Sequence, residues 1–277
     1  MNTMWKGSIS FGMVNIPVKM FAATEEKDIR FRMLHKEYHV PIKYKKTCEQ
    51  CEGEVTPQDI VKGYEYEPDH YVIVEENEIE NITPKTRKTI EIVDFVDLKE
   101  IDPIYFDKSY YLSPHETGDK AYALLRSAME NTGKIGIAKI TIRSKQNLAC
   151  VRVYGNSIVL ETLYYPDEVR GQAMVPGLLG DLELSEKELT MAQQLIEQLT
   201  TSFDPSRYKD EYREQLEDLI RKKMEGETVG VNVAAPQAKV VDLMEALKAS
   251  LDAAKKDKKQ TTAAAPKKRG RSKKATL

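Results

Sequence analysis

The sequence predicts a mainly β protein with added α-helix: a β-barrel core over residues 1–170, a small helical region over 171–252 and a disordered basic tail over 253–277. Three observations carry this. Short apolar runs of period two, joined by short connections, fill the first 170 residues and favour antiparallel hairpins closing into a barrel over a parallel sheet. After Arg170 the apolar spacing changes to that of amphipathic helices. The last 25 residues hold ten Lys or Arg and one acid, Asp257, a composition that cannot bury enough apolar surface to order itself.

The run Ser8–Phe21 opens the barrel. Val14, Ile16, Val18 and Met20 alternate with Asn15, Pro17 and Lys19, as in a half-buried strand, while Ile9 and Phe11 take the opposite parity and place a bulge at Gly12. Pro17 cannot donate to a ladder, so it predicts an edge or an interrupted pairing. After the turn at Pro68-Asp69, residues Tyr71–Val74 read as a buried strand and Glu75–Ile82 as a short helical turn. Thr89–Val96 is a strand whose alternation shifts parity, and Tyr105–Leu112 is an aromatic-rich strand closed by Ser113-Pro114. Gly118–Thr132 is a helix with Ala121, Leu124, Leu125, Ala128 and Met129 on one face and Gly133 placed to end it. Ile135–Arg143, Leu148–Tyr154 and Ser157–Tyr165 are strands, the last two joined by the two-residue turn Gly155-Asn156.

The helical region follows a glycine-rich loop, Gly171–Gly180. Ser185-x-x-Glu188 is a capping box that opens a helix carrying Leu189, Ala192, Leu195, Ile196 and Leu199 on one face. Asp204-Pro205 caps a second helix with Tyr212, Leu216, Leu219 and Ile220 on its face. Val229–Val233 is a short strand, and Val240, Met244, Leu247 and Leu251 mark a third helix.

One stretch departs from the rest in chemistry. Arg30–Lys46 holds six basic residues, Arg30, Arg32, Lys36, Lys43, Lys45 and Lys46, against one acid, Glu37, with Phe31, Tyr38 and Tyr44 among them. Basic residues interleaved with aromatics are what a phosphate backbone attracts. The stretch has no clean helical or strand period, so it reads as an extended arm that leaves the body. The net charge of −2 conceals a polarity: of 42 basic and 44 acidic residues, the body to residue 252 keeps 32 and 43, an excess of 11 acids, and the tail stands at +9. Nucleic-acid contact therefore has to come from local concentrations of charge. A second concentration lies in the strands, where Lys139 and Arg143 share one face, Arg152 can join them and Lys145 lies in the connecting loop; an ordinary outer barrel face looks the same. The third is the tail, with Lys255, Lys256, Lys258, Lys259, Lys267, Lys268, Arg269, Arg271, Lys273 and Lys274.

Cys48-x-x-Cys51 has the look of one zinc knuckle, but a structural zinc needs four ligands. His35 and His39 can complete the set, and so can the same cysteine pair of a second subunit; otherwise this is a turn with two thiols, and no cofactor is implied. A metalloenzyme built on His35, His39, Cys48 and Cys51, with Glu37 or Glu49 as acid or base, is a competing reading. A chromosome-associated protein working through its tail is another. No nucleophile–base pair, Walker loop or paired carboxylates can be made out, and Gly133-x-x-Gly136 is too sparse for a phosphate loop, so the expectation is a protein that is not an enzyme. Three cysteines argue for a reducing compartment, and neither a run of 18 apolar residues nor a secretory signal in MNTMWKGSIS is present, so a cytoplasmic, nucleoid-associated protein without a membrane partner is expected.

The segments MWKGSISFGMVNIPVKMF near the start, DIVKGYEYE at 59–67, YYLSP at 110–114 and FDPSRYKDEYRE from Phe203 together resemble the bacterial Ku family, over Trp5 to about Leu251. The resemblance implies a homodimer of β-barrels whose arms, here about Asp28–Tyr66, form a ring around double-stranded DNA ends without reading sequence. It implies recruitment of an ATP-dependent DNA ligase, in part through the helical region after about 178, for double-strand break repair by non-homologous end joining. Eukaryotic relatives carry an α/β domain before the barrel, whereas this sequence starts at the barrel, so functions of that domain are not expected.

Overall fold

The computed structural model describes residues 1–82, 88–143, 145–178, 180, 182–227 and 246–252, with the backbone alone at 51, 52 and 80. The chain divides into two compact units, Met1–Val175 and Pro176–Leu277.

The first unit is built on a closed barrel. β1 (Trp5–Phe11) and β2 (Val14–Ala22) form a hairpin. The chain then makes a long excursion through β3 (Thr47–Cys48), β4 (Cys51–Glu54), β5 (Lys62–Glu67), β6 (His70–Val74) and α1 (Glu76–Ile82). It returns as β7 (Thr89–Asp97), followed by β8 (Phe106–Pro114), α2 (Asp119–Thr132), β9 (Lys134–Ile142), β10 (Lys145–Tyr154) and β11 (Ser157–Leu163). The barrel order is β1-β2-β8-β11-β10-β9-β7. Every pairing in it is antiparallel except the closing one, where β1 and β7 run parallel with Ile9 opposite Ile90. The core is the set of inward residues period two selects: Ile9, Ile16, Val18, Ile90 and Ile158 are fully buried.

Helix α2 plugs one end, where β8 finishes and β9 begins, and contributes Tyr122, Leu125 and Met129 to the core. Gly133 ends it in the left-handed region at φ 66°. The Tyr122 hydroxyl donates to the Leu112 carbonyl at 2.6 Å and accepts from the Ile158 backbone N–H at 2.7 Å, tying the plug to β8 and β11. At the opposite end β2 and β9 finish while β8 and β10 begin, and there the long excursion departs, anchored by the Ala23 N–H on the Ser109 carbonyl at 3.0 Å. A second, smaller core lies outside the sheet, where Ile135, Cys150 and Leu163 are covered by Ile101, Tyr105 and Phe106.

The expected mainly β fold with added helices is present, and several local expectations change. The parity shift at Gly12 is a chain reversal and not a bulge: Gly12 has φ 56°, and the hairpin it turns sets Ile9 opposite Ile16, which explains why both parities point inward. Pro17 falls just outside the β2–β8 ladder, which runs from Val18 to Ala22, as its missing N–H requires. The parity shift in β7 is real and sits between Ile92 and Asp94. Tyr71–Val74 is a strand but not a buried one, for it pairs only with β5 in a two-stranded ribbon whose Tyr71, Val72 and Ile73 are exposed. On α2, Leu124 faces outward at 72% exposure and Tyr122 takes its place in the core.

In the second unit, α3 (Glu186–Leu199) starts at Ser185 as the capping signal indicates, but without a side-chain cap hydrogen bond. Its Leu189, Ile196 and Leu199 are exposed. Asp204-Pro205 caps a single 3-10 turn, Pro205–Arg207, and not the helix; Asp210 accepts the Arg213 N–H at 2.9 Å and starts α4 (Glu211–Met224). Tyr212 is exposed on α4. Residues 246–252 are helical, with Leu251 buried. Val229–Val233, Val240 and Met244 lie outside the described residues.

The barrel closes at a tight seam. The Ser8 N–H donates to the Lys88 carbonyl at 2.9 Å, and a Cβ on Gly7 would overlap that same carbonyl oxygen and the Trp5 ring. Backbone cannot yield as a side chain can, so Gly7→Ala should lower stability to urea by about 2–3 kcal/mol. A loss below about 0.5 kcal/mol would show that the seam has slack.

Candidate nucleic-acid interface

Residues 24–46 leave the barrel without regular structure apart from one bridge, Leu34 to Pro41. The bridge closes a small loop. The His35 N–H donates to the Val40 carbonyl and the Ile42 N–H to the Met33 carbonyl, and His39 sits at φ 52° to make the turn. His35 Nδ1 accepts from the backbone N–H groups of Glu37 and Tyr38 at 3.2 and 3.3 Å, and its ring stacks on Tyr38 at 4.7 Å. That nitrogen is occupied in shaping the loop.

Arg30, Arg32, Lys36, Lys43, Lys45 and Lys46 are all exposed along this course, with Phe31, Tyr38 and Tyr44 between them. Lys45 pairs with Glu54 at 3.0 Å and Arg30 with Glu26 at 3.4 Å, both in solvent. Such pairs are worth little, so these cations can exchange their partners for phosphates. The arm then folds back through two isolated hairpins. In the first, Cys48 stands opposite Cys51 across a two-residue turn, so the backbone places two cysteine positions together. Among the described residues no three His, Cys, Asp or Glu side chains gather as metal ligands. The second is the β5–β6 ribbon, where Tyr64 and Tyr66 add to the exposed apolar side chains of β6.

The barrel contributes a second set of charges at its open end. A cleft of about 690 Å³ is lined by Tyr110 and Ile142, by the cations Arg30, Lys108, Arg143 and Lys145, and by the acids Glu25, Glu26 and Asp107. Lys145 is the first residue of β10, paired opposite Ile142, and not part of a loop; its ammonium bonds Glu168 at 2.7 Å, which raises its pKa. Arg143 occupies the β9–β10 turn at φ 49°, a region where a residue with a Cβ is uncommon. Lys108 was not anticipated. It shares the inward parity of Tyr110 and Leu112 on β8, and a charge on core parity at a strand's first turn is the signal that marks a barrel mouth. Lys139 lies apart, exposed in the middle of β9 opposite Glu91.

Arg152 does not join this set. It is half-buried and held by Glu161, with Nε to Oε2 at 2.8 Å and Nη2 to Oε1 at 2.6 Å, while its guanidinium lies 5.5 Å from the Tyr154 ring centre. Glu161 also accepts from Ser109 and from the buried Cys150 thiol. The hydrogen bond from Arg152 holds the Glu161 carboxyl below the usual carboxylate range against the opposing effect of burial, and burial with the nearby carboxylate pushes the Cys150 thiol up to about 12. The face shared by Cys150, Arg152 and Tyr154 is thus covered by the second core at Cys150 and closed by an ion pair at Arg152, not open as strand parity alone suggests. The ten tail cations from Lys255 to Lys274 lie outside the described residues.

Comparison with known proteins follows this geometry. Residues 10–196 match the family model Ku, described as the Ku70/Ku80 beta-barrel domain. Relatives called non-homologous end joining protein Ku include one from Bacillus subtilis (strain 168), 51% identical over 269 residues, 96% of this chain and 86% of the relative. Another, from Desulfitobacterium hafniense, is 53% identical over 264 residues, 95% and 92% of the two chains. A third, from Archaeoglobus fulgidus, is 44% identical over 255 residues, 92% of this chain and all of the relative.

The Arg152–Glu161 pair has a measurable consequence. Arg152→Ala leaves a buried carboxylate without its cation and should cost about 3 kcal/mol. Because the folded carboxyl titrates below its ordinary value near 4.5, the pair's contribution is complete above that value and is lost as pH falls through the depressed one. Urea unfolding between pH 3 and 7 should therefore show a shallower acid loss in Glu161→Gln than in the unchanged protein; superimposable acid limbs would contradict it.

Proposed function

Since the chain belongs to the Ku family, we propose that it binds the ends of double-stranded DNA as a symmetric homodimer, encircling the duplex with two arms, and passes the bound ends to an ATP-dependent DNA ligase in non-homologous end joining. It acts as a scaffold and performs no chemistry itself. The observation that carries the reading is the arm: six cations and a row of large apolar side chains are exposed on a segment that has no core of its own.

The two features call for different partners. Fully burying a Tyr, Val or Ile is worth roughly 1.5–3 kcal/mol, and the β5–β6 ribbon leaves Tyr64, Tyr66, Tyr71, Val72 and Ile73 exposed together. A two-stranded ribbon is marginal alone, and a second copy of the arm is the partner that a twofold dimer supplies. The cations suit a backbone of phosphates, and a grip on phosphates alone carries no sequence information. An excess of 11 acids in the body, against cations gathered on the arm and barrel mouth, disfavours binding elsewhere on the body. In the second unit the stacked, exposed Phe203 and Tyr208, 6.0 Å apart, together with exposed Leu189, Ile196 and Leu199, suit a protein partner such as the ligase.

Competition separates this from general binding through the tail. A closed circular duplex should compete at least tenfold less well than a linear duplex of the same sequence, and removal of residues 253–277 should weaken total affinity and its salt dependence while keeping that difference. Equal competition by the circle would refute encirclement and favour a chromosome-associated protein that acts through its tail.

A further inference from the structure

We propose that the open mouth of the barrel is a seat for one backbone phosphate of the duplex, joining the root of the arm to the barrel; this rests on the DNA-binding reading above and deepens it. The mouth gathers positive charge that three separate segments supply: Arg30 from the arm, Lys108 from the start of β8, and Arg143 with Lys145 where β9 turns into β10. None of these is close to all the others in sequence, so composition alone does not bring them together.

The four differ in commitment. Arg30 is held by Glu26 and Lys145 by Glu168. Among the described residues Arg143 and Lys108 have no ion pair within 4 Å. The acid nearest Lys108 in sequence, Asp107, also lines the cleft and accepts the Thr162 hydroxyl at 3.2 Å and the Tyr164 hydroxyl at 3.5 Å, so its oxygens are engaged by hydroxyls and not by Lys108. Lys108 is fixed from below, its backbone N–H donating to the Thr162 hydroxyl oxygen at 3.1 Å. Arg143 stands at φ 49°, where glycine, asparagine or aspartate fits a two-residue hairpin turn more easily.

The arm side works as a latch. The Arg30–Glu26 pair is about four-fifths exposed at both side chains, and a phosphate offers Arg30 a stronger, bidentate partner. With a phosphate in the mouth, Arg143 and Lys108 bind it from the barrel and Arg30 from the arm. The arm is then fixed at its root by the DNA it holds.

Binding to a linear duplex as a function of salt tests this in the full-length protein. Lys108→Ala with Arg143→Ala should weaken binding about tenfold or more and reduce the slope of log affinity against log salt by about one. Glu26→Gln should tighten binding two- to threefold, because it frees Arg30 and removes a negative charge from the seat. Lys134→Ala, at the far end of the strand that Arg143 follows, removes one positive charge elsewhere and should leave the slope unchanged. Thermal unfolding checks that the double variant is folded, and Glu26→Gln tests the seat without touching the barrel. The proposal is overturned if the folded double variant changes affinity and slope no more than Lys134→Ala, or if Glu26→Gln weakens binding. Should the unaltered protein fail to distinguish linear from closed circular DNA, the encirclement reading fails, and the seat is still judged by these variants.

Discussion

The structure depends on one pairing, the parallel contact of β1 with β7 that closes the barrel. Every other barrel pairing is antiparallel. This one joins Ile9 to Ile90 across the whole intervening excursion, and it holds the two ends of that excursion in fixed places. The arm can therefore be long and without a core of its own, because its exit at Ala23 and its return at Lys88 are both hydrogen-bonded to barrel strands. The closeness of Gly7 to Lys88 is the local cost of that closure.

The two ends of the barrel are then chemically unlike. One is plugged by α2 and sealed by the Tyr122 hydroxyl between β8 and β11. The other sets four cations among three acids and is where the arm leaves. Positive charge gathers at the open end because there the inward parity of β8 and β10 runs out of core to fill, and Lys108 and Lys145 can occupy inward positions without burial. Buried charge elsewhere in the barrel is paired, as Arg152 and Glu161 show.

Much of this was legible in the sequence, and the failures share a cause. Period two located the barrel strands, and the deficit of acids located the arm. Periodicity states which residues share a face, but not what covers that face. Tyr71, Val72 and Ile73 carry the apolar pattern of a core strand, yet in one chain they are uncovered. Cys150 and Arg152 carry the pattern of an outer face, yet the segment through Tyr105 and Phe106 covers the first and Glu161 binds the second. Gly12 could be a bulge or a reversal on pattern alone; its φ of 56° and the pairing of Ile9 with Ile16 decide it. Asp204-Pro205 is a genuine cap, but of one turn, since a second cap at Asp210 competes for the helix. The cationic mouth was only half visible, because Lys108 reaches it through strand pairing and not through sequence proximity.

The central claim is topological: two arms close around a duplex that enters by its end. It is tested most directly by loading the protein on a linear duplex, ligating the DNA into a circle, and washing with salt high enough to release protein from the linear form. Phosphate contacts weaken steeply with salt, whereas a closed ring stays linked to a closed circle. The account predicts protein retained on the circle until the DNA is cut. Release from the circle at the same salt as from the linear duplex would contradict it.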